Sequence, residues 1–273
     1  MSEFQVASHM QRHDLHKLHG LGNDFLVWFQ PAVPDTARDL AASWCHRSTG
    51  IGADGLIIAI DNRVAPQFVL FNADGGRAEV SGNGLRCFGH AIAARRGTDE
   101  LATIVETDAG DRSLTVTGAL ATVAQASVGM GAPKPGPSLE GIELGSIVEY
   151  TRADTLDLGN PHLVIDVTEP DAYDMAIVGP AIEAHFAPTG MNVHLVTATA
   201  DGVRMAIWER GAGVTEACGS GACAAAAIAS LSRPDMESFH VAMPGGSARV
   251  EVGDELTLFG PSTYVAAVEP STW

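Results

Sequence analysis

Apolar residues along this chain fall mostly into short runs that are bounded by glycine, aspartate or proline. Runs of about four to eight residues with such boundaries are typical of β-strands. Strands are predicted at residues 56–60, 68–71, 102–106, 114–117, 162–167, 193–197, 203–208, 240–243 and 255–259. Their spacing favours a β-rich fold over a series of βαβ units.

Two segments are apolar around a whole helical circumference instead of along one stripe. They cover residues 85–94 and 222–229, and each follows a glycine-rich tetrapeptide. A helix without a polar face is typical of a helix buried inside its domain. The pattern therefore predicts an α/β (α+β) fold in which a mixed sheet wraps around a central buried helix.

Polar motifs of the first half recur in the second half at a fixed offset of 137 residues, which is 159 minus 22 or 218 minus 81. The matched segments are GNDF at 22–25 with GNPH at 159–162, FN at 71–72 with WE at 208–209, and EVSGNG at 79–84 with EACGSG at 216–221. A period this long indicates duplicated domains and not a solenoid of short repeats. We expect the two copies to face each other, with Ser81 and Cys218 in equivalent positions on opposite sides of one ligand.

Domain boundaries follow from the repeat and from the proline-rich segment at 133–137, which is the natural linker. The N-terminal domain is predicted at 11–130 plus 262–273, and the C-terminal domain at 131–261. Residues 1–10 resemble a vector-derived leader and are left out of the predicted fold.

The chain is acidic, with 33 acidic residues against 16 basic ones and a formal net charge of −17. Nucleic acids and anionic membranes bind basic surfaces, so neither partner is expected. No membrane span or signal peptide is recognisable, and a cytoplasmic location is predicted. The four cysteines show neither a CxxC pair nor a His/Cys spacing, so no metal site is predicted.

The two glycine-rich tetrapeptides precede the predicted buried helices, where free backbone N–H groups and a partial positive charge would bind a carboxylate. Read singly, each is as well explained by a glycine-rich turn with an ordinary cap. Two copies in register favour the anion site. A thiol at a helix N-terminus can have its pKa lowered from about 8.5 to roughly 3.5–7.5, which makes Cys218 a candidate thiolate base or nucleophile.

The motif series as a whole resembles that of the diaminopimelate epimerase family. The matching segments are GLGNDF at 20–25, GIGADG at 50–55, FNADG at 71–75, residues 79–86, GNPH at 159–162, ERG at 209–211 and residues 216–223. The resemblance implies two pseudo-symmetric domains, each a mixed β-sheet barrel around a central helix. It also implies an isomerase without pyridoxal phosphate or another cofactor, which interconverts LL- and meso-diaminopimelate as a homodimer in lysine biosynthesis.

The resemblance further implies a role for each matched residue. Cys218 and the residue at position 81 would move the proton at the α-carbon, with His162 assisting position 81 and Glu209 assisting Cys218. The substrate's ammonium and carboxylate groups would be held by Asn23, Asn72, Asn160, Asn192, Glu209 and Arg210. Backbone N–H groups for the reacting carboxylate would come from Gly82, Asn83, Gly219 and Ser220.

One position departs from the family pattern, because the first catalytic cysteine is Ser81 here. A hydroxyl is a much weaker acid than a thiol, so Ser81 cannot replace a cysteine base without loss. Three interpretations are open: an introduced substitution, a one-thiol epimerase that uses Ser81 weakly or through water, and a relative with changed chemistry. The alternatives to the epimerase are a one-thiol racemase or dehydratase of another amino acid, and a catalytically silent amino-acid-binding protein.

Overall fold

The computed structural model describes residues 3–61 and 64–269, and the chain divides into two compact units. The first unit comprises residues 1–129 and 259–273, and the second comprises residues 130–258. The divisions predicted from the sequence are at 130/131 and 261/262. Both boundaries lie inside strands, and the predicted linker at 133–137 instead contains a short strand that pairs with its neighbour.

The described residues of the first unit form three helices and nine strands, and two of these strands extend into the second unit. The helices are α1 (Glu3–Arg12), α2 (Ala37–Trp44) and α3 (Gly82–Arg95). The strands are β1 (Leu15–Gly20), β2 (Asn23–Phe29), β3 (Gly55–Ile60), β4 (Gln67–Asn72), β5 (Arg77–Ala78), β6 (Glu100–Val105), β7 (Arg112–Thr117), β8 (Val123–Gly131) and, after the second unit, β17 (Leu256–Val268).

The second unit has two α-helices, three short 3-10 helices and eight further strands among its described residues. The strands are β9 (Lys134–Pro135), β10 (Arg152–Asp157), β11 (Pro161–Asp166), β12 (Asn192–Ala198), β13 (Gly202–Glu209), β14 (Gly213–Val214), β15 (Ser238–Met243) and β16 (Gly246–Val252). The helices are α4 (Met175–Glu183) and α5 (Gly219–Ser230), with 3-10 turns at Leu144–Ser146, Pro170–Ala172 and Ala184–Phe186.

Helices α3 and α5 are the buried helices that the sequence predicts. Every residue of α3 except Arg95 is buried, and the alanine-rich first half of α5 is buried throughout. Each helix packs against strands of its own unit. The mixed α/β fold with a sheet around a central helix is thereby confirmed for both units.

The 137-residue repeat is preserved in the register of the sheets. In the first unit β2 runs parallel to β3 and pairs Phe25 with Gly55. In the second unit β11 runs parallel to β12 and pairs His162 with Asn192, which are the positions 137 residues further on. The duplicated sequence therefore specifies the same strand pairing twice.

The predicted closure into barrels is not what the pairings show. In the first unit, pairing runs in the order β4, β3, β2, β1, β17, β8, β7, β6. Among the described residues, the two ends of that order are connected only by an isolated parallel bridge between Gln67 and Glu106. The sheet is consequently not closed by a continuous ladder, although it surrounds α3.

The N-terminal segment is part of the first unit, in contrast to its exclusion from the predicted fold. Helix α1 packs against α3, with Val6 and Met10 fully buried. The Arg95 guanidinium donates a hydrogen bond to the carbonyl oxygen of His13 at 2.9 Å and fixes the end of this segment. Met1 and Ser2 of the predicted leader lie outside the described residues.

Candidate active site

Ser81 is the N-cap of α3 and adopts an extended backbone conformation, with φ −140° and ψ 122°. Its Oγ accepts a hydrogen bond from the backbone N–H of Gly84 at 3.0 Å, as expected for a serine cap. The next residues, Gly82 and Asn83, are buried at the first turn. Their N–H groups are among those that a helix leaves without intrahelical partners.

A chain of polar side chains lies behind this turn in the first unit. The buried guanidinium of Arg86 donates to Asn83 Oδ1, and Asn83 Nδ2 donates to Asn23 Oδ1 at 3.1 Å. Asn23 Nδ2 in turn donates to Asp54 Oδ2 at 2.8 Å. The donors in this series therefore point from α3 towards Asp54. Ser81 receives none of these hydrogen bonds.

A cluster of charges fixes the carboxylate end of that chain. Asp24 Oδ1 lies 2.8 Å from Arg47 Nη2, and its Oδ2 lies 2.9 Å from Lys17 Nζ. Burial opposes ionisation of Asp24, but hydrogen bonds from Arg47 and Lys17 outweigh it and lower its pKa. Burial raises the pKa of the neighbouring Asp54 carboxyl. The sequence analysis quoted Asp54 within a motif but assigned it no role.

The remaining predicted residue of this unit is Asn72, which ends β4. It pairs with Gly55 in the β3–β4 ladder, and its backbone N–H donates to the carbonyl oxygen of Gly76 at 2.8 Å. Its side chain is partly exposed. Asn72 thus lies in the same unit as Asn23 and Asn83 but outside their hydrogen-bond series.

Cys218 is the N-cap of α5 and repeats the geometry of Ser81, with φ −124° and ψ 112°. Its Sγ accepts from the backbone N–H of Gly221 at 3.3 Å and lies 3.7 Å from Ser220 Oγ. Its exposed fraction is 1%, and Gly219 and Ser220 after it are buried as well.

The expected lowering of the Cys218 pKa is wrong. Burial, and then the negative charge and hydrogen bond of Glu209, raise the pKa of the thiol well above its usual value. The N–H of Gly221 and the Ser220 hydroxyl act in the opposite direction but are the smaller influences. Burial likewise raises the pKa of Cys45 and of Cys87 to about 12. The thiol of Cys218 is protonated at rest.

Glu209 ends β13 and is the carboxylate next to this thiol. The hydroxyl of Thr215 donates to Glu209 Oε1 at 2.6 Å and orients the group. Glu209 was a predicted site residue, whereas Thr215 was not. A hydroxyl six positions further along the chain carries no sequence signal that would distinguish it.

A second chain of polar side chains connects Cys218 with the interior of the second unit. Asn160 Nδ2 donates to Ser220 Oγ at 3.4 Å, and Asn160 Oδ1 lies 2.9 Å from His162 Nε2. His162 Nδ1 lies 2.9 Å from Nε2 of His194, which the sequence analysis did not select. Both imidazoles are fully buried, and burial lowers the pKa of His194 to about 3 and that of His162 well below its usual value.

Asn192 and Arg210 form a separate pair in the second unit. Asn192 Oδ1 accepts from the backbone N–H of Arg210 at 3.0 Å, and its Nδ2 donates to the carbonyl oxygen of Pro161 at 2.8 Å. The Arg210 guanidinium donates to the carbonyl oxygen of Thr189 at 3.1 Å. This pairing positions the start of the Arg210 segment next to β11.

Several of the predicted residues are thus brought together within each unit, in two hydrogen-bond series and one pair, whereas Ser81 and Asn72 lie outside them. Among residues 3–61 and 64–269, no group of three or more His, Cys, Asp or Glu side chains has an arrangement that could hold a metal ion. Within the same residues, no helix is long and apolar enough to span a membrane.

The chain thus has two units, each with a buried helix that a serine or a cysteine caps. The sequence profile of diaminopimelate epimerase matches residues 15–134 and 155–265. The chain belongs to the diaminopimelate epimerase family.

Relatives and structures agree with this assignment. The diaminopimelate epimerase of Parabacteroides distasonis is 36% identical over 86% of this chain and 88% of its own length. That of Desulfitobacterium hafniense is 34% identical over 91% of this chain and 95% of its own length. A solved structure from Pseudomonas aeruginosa, described as a predicted epimerase, matches with a TM-score of 0.74 at 17% identity, covering 96% of this chain and all of the other. That last likeness concerns the fold alone.

Proposed function

We propose that this protein is a cofactor-independent epimerase that interconverts LL- and meso-diaminopimelate in lysine biosynthesis. The observation that carries the proposal is the family match, which extends over both units and includes the Cys218 segment. The protein would act on this small-molecule amino acid as a homodimer in the cytoplasm, as the family resemblance implies.

In this proposal Cys218 exchanges a proton with the α-carbon of the substrate. Because its thiol is protonated at rest, it is ready to donate a proton to a carbanion, and it needs a base before it can remove one. Glu209 is that base, since its carboxylate is hydrogen-bonded to the thiol and is oriented by Thr215. The Ser220 hydroxyl and the Gly221 N–H then stabilise the thiolate.

The carboxylate of the reacting centre would be bound by backbone N–H groups at the helix N-termini. The proposed donors are Gly219 and Ser220 of α5 and Gly82 and Asn83 of α3. As the α-proton leaves, negative charge spreads onto this carboxylate, and fixed N–H dipoles stabilise it without reorganisation. The other substrate groups would be held by Asn23, Asn72, Asn160, Asn192, Glu209 and Arg210.

Position 81 favours a second candidate, a one-thiol racemase or dehydratase of another amino acid. Ser81 has the geometry of a catalytic cap but a hydroxyl in place of a thiol. In the epimerase proposal Ser81 occupies the position that exchanges a proton on the opposite face of the α-carbon. His162, which the family resemblance assigns to assist that position, has both ring nitrogens hydrogen-bonded to Asn160 and His194. The hydroxyl makes that half-reaction slow.

Incubation with LL-diaminopimelate, meso-diaminopimelate and a panel of other amino acids in D₂O distinguishes the candidates. Mass spectrometry and chiral chromatography would follow deuterium uptake, inversion and new keto acids. We expect deuterium uptake at the α-carbon of diaminopimelate, faster than inversion for the isomer whose α-hydrogen faces Cys218. Keto acids from another amino acid, with no uptake into diaminopimelate, would contradict the epimerase.

The matched control lies in the same helix. Cys218→Ala should lower deuterium uptake by about 10²- to 10⁴-fold, because it removes a positioned proton-transfer group. Cys223→Ala removes a second buried thiol of α5 that takes no part in the proposed chemistry, and uptake should be unchanged. Equal losses in the two variants would show that the effect comes from the helix and not from the Cys218 thiol.

A further inference from the structure

Two buried histidines lie side by side in the second unit, and the proposed chemistry uses only one of them. The rings of His162 and His194 are stacked, with centroids 5.2 Å apart and an interplanar angle of 24°. Neither has an exposed surface, and burial keeps both rings neutral. A neutral imidazole has one N–H donor and one acceptor nitrogen, so the contacts of each ring determine which nitrogen carries the proton.

The proton positions on the two rings follow from Asn160, the partner of His162 on the side away from His194. Asn160 Oδ1 can only accept, so His162 Nε2, at 2.9 Å, carries the hydrogen. His162 Nδ1 is then an acceptor, and the donor facing it at 2.9 Å is His194 Nε2–H. His194 Nδ1 is left with a lone pair, and it has no hydrogen-bond partner among the described residues. A buried lone pair is less costly there than an unpaired N–H would be.

Ser220 connects Asn160 with the sulfur of Cys218. Asn160 Nδ2 donates to Ser220 Oγ, so the hydroxyl hydrogen of Ser220 is free to point elsewhere. Cys218 Sγ lies 3.7 Å from that oxygen. The donors of His194, His162 and Asn160 therefore all point towards Ser220, whose hydroxyl is able to donate to the cysteine.

We propose that His194 is a positioning residue that holds His162 in its Nε2–H form, so that the hydrogen-bond series delivers the Ser220 hydroxyl hydrogen to the Cys218 sulfur. The proposal rests on the proposed function and deepens it, because it names how the thiolate is stabilised. The series acts together with the Gly221 N–H and against Glu209, the carboxylate next to the thiol. Arg210 is the charged group that influences His162.

Helix α5 leaves room for the His194 ring at Gly221. A Cβ on Gly221 would lie 2.4 Å from His194 Cε1, 2.6 Å from its Nε2 and 3.0 Å from Cys218 Sγ. Since real Cβ atoms do not approach so closely, glycine at this position allows the imidazole to lie against the first turn of α5. The ring thus contacts both the helix that Cys218 caps and the histidine that it orients.

Nitrogen-15 NMR of the wild-type protein tests the proton positions directly. With ¹⁵N-labelled histidine, His162 and His194 should each show a protonated Nε2 and an unprotonated Nδ1 near neutral pH. A protonated Nδ1 on His162, or a charged ring at either position, would overturn the proposal. This measurement requires no turnover, so it is informative even if the protein does not act on diaminopimelate.

Two variants of nearly equal length separate the hydrogen bond from packing. His194→Gln keeps an N–H donor in reach of His162 Nδ1, whereas His194→Met fills similar space without one. We expect deuterium uptake from D₂O into diaminopimelate to stay within about 3-fold of wild type in His194→Gln and to fall roughly 10- to 100-fold in His194→Met. The loss should appear in kcat and not in KM. Equal rates in the two variants, with both folded by circular dichroism, would overturn the proposal.

A double-mutant cycle tests whether His194 acts through Ser220. Ser220→Ala removes the hydroxyl that lies next to the Cys218 sulfur. If the series is one unit, the rate of His194→Met with Ser220→Ala should be close to that of the slower single variant. Losses that multiply would show two independent effects and would overturn the coupling.

Discussion

The two helix caps have the same geometry and different chemistry. Ser81 and Cys218 are both extended N-caps, and each accepts a hydrogen bond from the N–H three residues further on. One is a partly exposed hydroxyl, and the other is a fully buried thiol. Duplication has therefore preserved the backbone that presents the reacting atom, while the atom itself has changed.

The hydrogen bonds behind the caps differ in direction as well. In the first unit Asn83 donates to Asn23, whereas in the second unit the residue equivalent to Asn23, Asn160, donates to Ser220. The first series leads away from the cap and ends on Asp54, and the second leads towards Cys218. A thiolate needs donors and a neutral hydroxyl does not, so the difference agrees with a thiol at only one of the two caps.

The largest effect on the rate is expected when both helix caps carry a thiol. Ser81→Cys should raise the interconversion of LL- and meso-diaminopimelate by about 10²- to 10⁴-fold, because it restores a second group able to transfer a proton. Chiral chromatography of the products measures it. Ser81→Ala is the control and should give no gain. Unchanged turnover in Ser81→Cys, together with dehydration of another amino acid by the wild type, would refute the epimerase assignment.

The next effect compares the space around the glycines in the first turns of α5 and α3. Gly221→Ala would place a Cβ 2.4 Å from the His194 ring, whereas Gly84→Ala would meet Ser81 Cβ at 3.1 Å and Phe68 Cζ at 3.2 Å. Overpacking should lower the free energy of unfolding by about 1–3 kcal/mol for Gly221→Ala and by less for Gly84→Ala. Urea titrations of both variants measure this. Equal losses would mean that His194 moves aside freely.

The smallest expected effect is on the free energy of unfolding at acid pH. Burial lowers the pKa of His194 from 6.5 to about 3, so the folded state binds a proton less readily than the unfolded chain. Its contribution to stability is complete above pH 6.5 and is lost as the pH falls towards 3, at about 1.4 kcal/mol per pH unit. His194→Gln should therefore lose less stability than wild type between pH 7 and pH 5. Parallel losses in urea titrations would show that His194 is not neutral in the fold.

Much of the scaffold could be predicted, because its signals are local. Helices α3 and α5 are apolar on all sides, and the motifs that precede them repeat in register. Strand β1 was missed because its sequence, LHKLHG, mixes two histidines and a lysine with two leucines. Helix α4 was missed because Pro180 lies inside it, where proline normally interrupts a helix.

The chemistry of the site was harder to predict from the sequence than its location was. The sequence places Cys218 at a helix N-terminus, which lowers a thiol pKa, but it cannot show the burial and the Glu209 carboxylate that raise it. His194 lies between Val193 and Leu195 and looks like any residue of a buried strand. Only the parallel pairing of β11 with β12 brings it to His162, and that contact joins residues 32 positions apart.

Strand β17 has a consequence for how the chain is made. The first unit needs residues that follow the whole second unit in the chain, because β17 pairs with β1 and the carbonyl oxygen of Pro261 accepts a hydrogen bond from the buried Arg86 guanidinium at 2.9 Å. A Cβ on Gly260 would lie 1.9 Å from that guanidinium, so the returning strand fits it closely. In a nascent chain, the first unit is therefore completed only after the second unit has been made, and the Arg86 guanidinium gains the Pro261 carbonyl at that late stage.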